Sequence, residues 1–114
     1  MGMSDCIFCK IIKREIPAQL VHEDDRSVAF KDINPQAPTH VLVVPKKHVA
    51  ALSACVDEDS ALLGHLQLAA KAIAEKGKLS SFRLVTNNGR GAGQTVDHLH
   101  YHLLGGRAMQ WPPG

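Results

Sequence analysis

Residues 97–106 read DHLHYHLLGG, which sets His98, His100 and His102 at alternate positions, with Leu99, Tyr101 and Leu103 following each in turn. A period of two is the pattern of an extended strand, on which residues i, i+2 and i+4 leave the same face. The three imidazoles therefore point together. The three apolar side chains point oppositely, onto whatever covers the sheet. A fold built around this strand needs one sheet face for a hydrophobic layer and one for polar chemistry.

The covering layer is legible. From about Asp59 to Lys76, Leu62, Leu66, Ala69 and Ile73 recur at spacings of four, three and four, which makes one apolar stripe on a helix. Asp57 or Asp59 is placed to cap its start and Gly77 to end it. CIFCKIIK, residues 6–13, predicts a short amphipathic helix on which Ile7 and Ile11, with Phe8 and Ile12, share a face. QLVHE and SVAFKD flank the charged turn EDDR and predict a hairpin over residues 19–32. INPQAP breaks the pattern, THVLVVP (39–45) reads as a buried strand stopped by Pro45, and FRLVTN (82–87) reads as another strand. No repeat or linker divides residues 1–114, so the expectation is one α+β domain with a mostly antiparallel sheet.

Composition removes several classes of function. A hydrophobic fraction of 45% with 21% charged residues is that of a globular chain. The net charge of +2 and 4% aromatic residues argue against a nucleic-acid binder. No apolar run approaches the roughly 20 residues of a membrane span. MGMSDCIFCK lacks a basic segment followed by an apolar one, and Cys6 stands where N-myristoylation of Gly2 wants Ser or Thr. A cytoplasmic location is the expectation.

The histidine row admits three readings. As a metal site it is too long, because His98 and His102 stand about 13 Å apart on a strand and only two could converge on one ion. As a catalytic row it is well suited. An imidazole with a pKa of about 6.5 is largely neutral near pH 7 and attacks phosphorus without a separate base, given a neighbour that fixes its tautomer. The plain alternative is an exposed sheet face carrying incidental histidines. The preceding NNGRGAGQT favours catalysis: Gly89, Gly91 and Gly93 can turn amides toward an anion, with Asn87, Gln94 and Thr95 as polar flanks. It is no Walker loop, having no Gly-Lys-Ser/Thr and no following helix. Taken alone it is a flexible turn; directly before the histidines it places a phosphate within their reach. Cys6-x-x-Cys9 reads as a redox motif, a metal clip or two free thiols, and Cys55 as packing.

These residues resemble the histidine-triad family, whose pattern His-φ-His-φ-His-φ-φ (φ apolar) stands here as residues 98–104. DINPQAPTHVLVVPKKHV and LLGGRAMQWPPG resemble its Hint branch, the purine nucleoside phosphoramidases, and the likeness runs from about Cys6 to Gly114. The resemblance implies a HIT-like fold: a five-stranded, mostly antiparallel sheet with one long and one short helix, joined with a second copy into a homodimer with one continuous sheet. It implies hydrolysis of the P–N bond of purine nucleoside 5′-phosphoramidates through a nucleotidylated His100. His102 would bind phosphate and move a proton, while His98 and His40 orient the nucleophile. Asn87, Gly93 and Thr95 match phosphate-contacting positions, with Thr95 where serine is more usual. Asp32 matches the acid that grips the ribose hydroxyls, and Ile33, Phe8 and Ile11 the base pocket. Members with a CxFC start imply a structural zinc, here on Cys6, Cys9, His48 and His98; no cofactor is implied for catalysis itself. The WPPG tail, with Trp111, would lie near the neighbouring subunit's active site. Two rivals stand beside this reading: a purine-nucleotide-binding regulatory or scaffold protein with incidental hydrolysis, and a small zinc-stabilised module. His22 and His65 read as bland surface histidines.

Overall fold

The computed structural model describes residues 5–114, so Gly2 lies outside the described residues. Seven regular elements follow one another: α1 (Ile7–Ile12), β1 (Leu20–Glu23), β2 (Ser27–Lys31), β3 (Thr39–Pro45), α2 (Ser60–Lys76), β4 (Phe82–Val85) and β5 (Tyr101–Gly105). All pairings are antiparallel, in the order β1-β2-β3-β5-β4. The expected hairpin forms as β1 and β2. Its turn is held by Asp24, whose carboxylate accepts the amides of Arg26 and Ser27 and the Ser27 hydroxyl, each at 2.8 Å. The last strand does not continue the meander. It inserts between β3 and β4, which α2 has already separated.

Each sheet face carries its own hydrophobic cluster. Leu66, Ala69, Ala70 and Ala74 of α2 pack on Ala29, Val41, Val43, Leu99, Tyr101 and Leu103. Phe8, Cys9 and Ile11 of α1 pack on Val28, Phe30, Leu42 and Val44. Alternate residues of β3 thus serve opposite layers. Six of its seven residues are buried, because neither face meets water.

The structure corrects three local expectations. α1 buries Phe8, Cys9 and Ile11 and leaves Ile7 46% exposed, so the apolar stripe is rotated from the expected face. Asp59 precedes α2 but does not cap it; its carboxylate accepts the Val56 amide at 2.9 Å and Lys47 at 2.6 Å. Gly77 does end α2 as expected, at an ordinary φ of −82°, with Lys78 following at φ 59°. The histidine strand begins only at Tyr101, so His98 and His100 lie on the segment leading into it. The alternation nevertheless persists, with Leu99, Tyr101 and Leu103 all reaching the α2 cluster.

Candidate active site

His98 and His100 are buried and His102 is half-buried, so the row is no exposed face with incidental histidines. It lies under α1. The ring of Phe8 meets His100 edge-on with centroids 5.1 Å apart, and His98 at 5.8 Å. His100 and His102 are neighbours, their ring centroids 5.0 Å apart.

Hydrogen bonds assign the tautomers. His100 Nδ1 is 2.7 Å from the backbone carbonyl of His98, which can only accept, so Nδ1 carries the proton and Nε2 keeps its lone pair. The Thr86 hydroxyl donates to the carbonyl of His100 at 2.8 Å and fixes the backbone there. The Gln36 amide donates to His40 Nδ1 at 3.0 Å, which leaves the His40 proton on Nε2. That nitrogen stands 2.9 Å from His102 Nδ1 and 3.4 Å from Asp32 Oδ2. His102 therefore accepts at Nδ1 and holds its own proton on Nε2. Burial pushes the pKa of His100 down against the pull of its carbonyl bond. Burial, then the neighbouring His100 and His40, push His102 down to about 4. Both rings are neutral near pH 7.

Beside this row a cavity of about 300 Å³ opens between α1 and the sheet. Phe8, Ile11, Asp32 and Ile33, the four expected base and ribose residues, all line it. Ile16, Phe30 and Leu42 complete the apolar wall. Phe30 and Leu42 escaped sequence reasoning as pocket residues because strand pattern marks them only as core. Asp32 takes the Asn34 amide on Oδ1 at 2.8 Å and keeps its other oxygen toward His40.

The glycine loop folds inward rather than presenting a row of free amides. It makes a 3-10 turn at Arg90–Ala92, and the amides of Ala92, Gly93 and Gln94 donate to carbonyls within it at 3.0–3.1 Å. The Gly93 amide expected to face an anion is thus engaged with Arg90. Gly93 has φ +94°, and a Cβ there would sit 3.7 Å from Asn87 Nδ2, so glycine is required beside that amide. Gln94 is the brace that sequence reading missed. Buried, it accepts the Gly89 amide at 2.7 Å and donates to the carbonyls of Ala50 (2.7 Å) and Val96 (3.0 Å). Asn87 is half-buried and Thr95 exposed; neither bonds an imidazole among the described residues.

His98 turns its ring away from the cavity, into a second cluster. Its Nδ1 lies 3.3 Å from Cys6 Sγ, 3.6 Å from Cys9 Sγ and 3.1 Å from His48 Nδ1, and Cys9 Sγ is 3.3 Å from His48 Nδ1. Zinc with Zn–N of about 2.0–2.1 Å and Zn–S of about 2.3 Å has ligand-to-ligand edges of roughly 3.3–3.8 Å, so this donor set fits a tetrahedral ion. All four donors lie within 4.8 Å of one another. Burial and the Cys6 neighbour push the Cys9 thiol up to about 11, a group that a bound cation would deprotonate. Burial pushes His98 down to about 4. Its Nε2 is anchored on the Pro45 carbonyl at 2.8 Å. Trp111 stands apart from the cavity, 80% exposed, with the Arg83 guanidinium 6.0 Å from its ring.

The HIT domain model matches residues 13–109. An uncharacterized HIT-like protein of Synechocystis sp. is 62% identical over 111 residues, covering 96% of this chain and 97% of its own length. A HIT family hydrolase from Legionella pneumophila has a similar solved structure, with a TM-score of 0.95, 53% identity and coverage of 96% and 100% of the two chains. A histidine triad nucleotide-binding protein from Candida albicans superimposes with a TM-score of 0.81 at 37% identity, covering 95% of this chain and 83% of that one. The five-stranded antiparallel sheet and its paired histidine and apolar faces are thus the fold of those proteins, and the chain belongs to the HIT domain family.

Proposed function

We propose that the chain is a Hint-branch hydrolase that cleaves the P–N bond of purine nucleoside 5′-phosphoramidates. The observation that carries this reading is the 2.7 Å bond from His100 Nδ1 to the His98 carbonyl, which leaves Nε2 as a nucleophile beside a purine-sized apolar cavity. The base enters between Phe8, Ile11 and Ile33, and the ribose hydroxyls donate to Asp32. His100 Nε2 attacks phosphorus, the P–N bond breaks, and the amine departs with a proton delivered from solvent through the N–H that His102 holds on Nε2. Water then attacks the nucleotidyl-His100, its proton returns to solvent by the same path, and the nucleotide is released. Asn87 and Thr95 are the phosphate contacts in this scheme. The likeness to the Legionella hydrolase and to the Candida nucleotide-binding protein supports hydrolysis and nucleotide binding respectively.

Two assembly features belong to the same reading. Cys6, Cys9, His48 and His98 would hold a structural zinc, whose contribution is to tie α1 to the segment before β5. The homodimer would form along β4, an edge strand that opens with exposed Phe82. Incubation with adenosine 5′-phosphoramidate tests the chemistry: AMP release, and an AMP adduct in an early quench, are expected, both lost in His100→Ala. Undiminished release by that variant, or none from the wild type at high enzyme concentration, rejects it. Binding of AMP without turnover would return the chain to the regulatory reading.

A further inference from the structure

On the α2 side of the sheet, away from the histidines, a second groove of about 440 Å³ runs between the C-terminal half of α2 and strands β1 to β3. The two layers are clasped at one end only. His65 of α2 and His22 of β1 stand 2.9 and 2.7 Å from opposite oxygens of Asp24 in the β1–β2 turn. Toward the other end the helix lines the groove with the small residues Ala72 and Gly77 beside Ile73 and Lys76. The volume lies within the roughly 300–1,000 Å³ of ordinary ligand sites.

The lining specifies the guest. The walls are Val21, Val41, Ile73 and Leu79, and the one ring in the lining, the imidazole of His22, is already engaged with Asp24. The rim carries Lys31 and Lys76 and no carboxylate. Elsewhere, Lys46 pairs with Glu23, Lys47 with Asp59, Lys71 with Glu75 and Arg90 with Asp97. Lys31 and Lys76 have no such pair among the described residues. Aliphatic walls below two free ammonium groups complement a flexible hydrocarbon tail with one anionic head.

We propose that this groove binds a free medium-chain fatty acid, its tail against Val41 and Ile73 and its carboxylate between Lys31 and Lys76. Lys31, at the end of β2, also borders the nucleotide cavity on the opposite face, so Lys76 is the decisive position.

Decanoate is the probe, followed through the methyl resonances of the intact protein. Saturable binding with Kd below about 1 mM is expected, with shifts at Val21, Val41, Ile73 and Leu79. Decanol, lacking the charge, should bind roughly three- to tenfold more weakly. Lys76→Glu should weaken decanoate but not decanol, and Ala72→Phe should block both. Lys76 is exposed, so that variant stays informative even if Ala72→Phe does not fold. Shifts confined to Ile11, Ile16 and Leu42 of the other cavity and reversed by AMP would overturn the proposal, as would equal affinity for decanoate in wild type and Lys76→Glu. Absence of saturable binding overturns it too.

Discussion

His98 acts through both its ends. Its ring sits in the cysteine–histidine cluster, and its backbone carbonyl takes the proton side of His100. The carbonyl of His100 is in turn held by Thr86. The tautomer of His100, the proposed nucleophile, is therefore set by main-chain geometry, which a side-chain motif does not display. Thr86→Val keeps the shape and removes one donor, so it should cost about 0.5–1.5 kcal/mol of stability. Because His100 moves with its backbone, kcat for the phosphoramidate should fall while KM holds; a denaturant titration beside steady-state kinetics checks both. The residues legible from side-chain type were the histidine row and the cysteine pair, whereas Asp32, a turn residue by pattern alone, was marked only by the family resemblance. Thr86, Gln36 and Gln94 were not, because each acts on or through a backbone group whose position only the fold determines.

Elements were legible where their pattern was periodic. α2 and β3 appear within a residue of expectation, since the 3.6 and 2.0 periods are properties of the sequence itself. Strand order was not legible, because the insertion of β5 beside β3 depends on packing between segments some sixty residues apart in the chain. The clasp between α2 and the first hairpin was missed for the same reason: His22 and His65 look bland until Asp24 stands between them. Burial pulls the Asp24 carboxyl upward, but hydrogen bonds from His22, the Arg26 amide, Ser27 and His65 outweigh it and hold the carboxyl well below the usual range. A depressed folded pKa stabilises the fold above the unfolded value, near 3.8, and that contribution is lost as pH falls below it. Asp24→Asn should destabilise the protein at pH 7 by about 1–3 kcal/mol, and its stability should fall less than the wild type's between pH 5 and pH 2. Parallel urea curves for the two proteins would disprove the clasp. Leu66→Ala, at the centre of the α2 layer, should cost about 2–5 kcal/mol whatever the pH.

At the scale of the whole molecule the two layers over the sheet are unequal. α2 has seventeen residues and its own apolar stripe, whereas α1 has six, too few to persist without tertiary anchors. Yet α1 supplies Phe8 and Ile11 to the cavity proposed for the nucleotide and packs Phe8 against His100. What holds it are its three buried side chains and the cluster that begins at Cys6, the residue that precedes and caps it. If that cluster carries the proposed metal, removing the ion should act on the thin layer first. Chelation, or Cys9→Ser, is expected to speed amide exchange across α1 while leaving α2 protected, to lower Tm, and to raise KM for the nucleotide more than it lowers kcat. The order follows from the packing: α2 rests on a cluster in which neither cysteine of the clip takes part, while α1 shares its cluster with both. Uniform loss of protection in the two helices would place the cluster in the global fold instead, and unchanged exchange in α1 after metal loss would separate it from the site altogether.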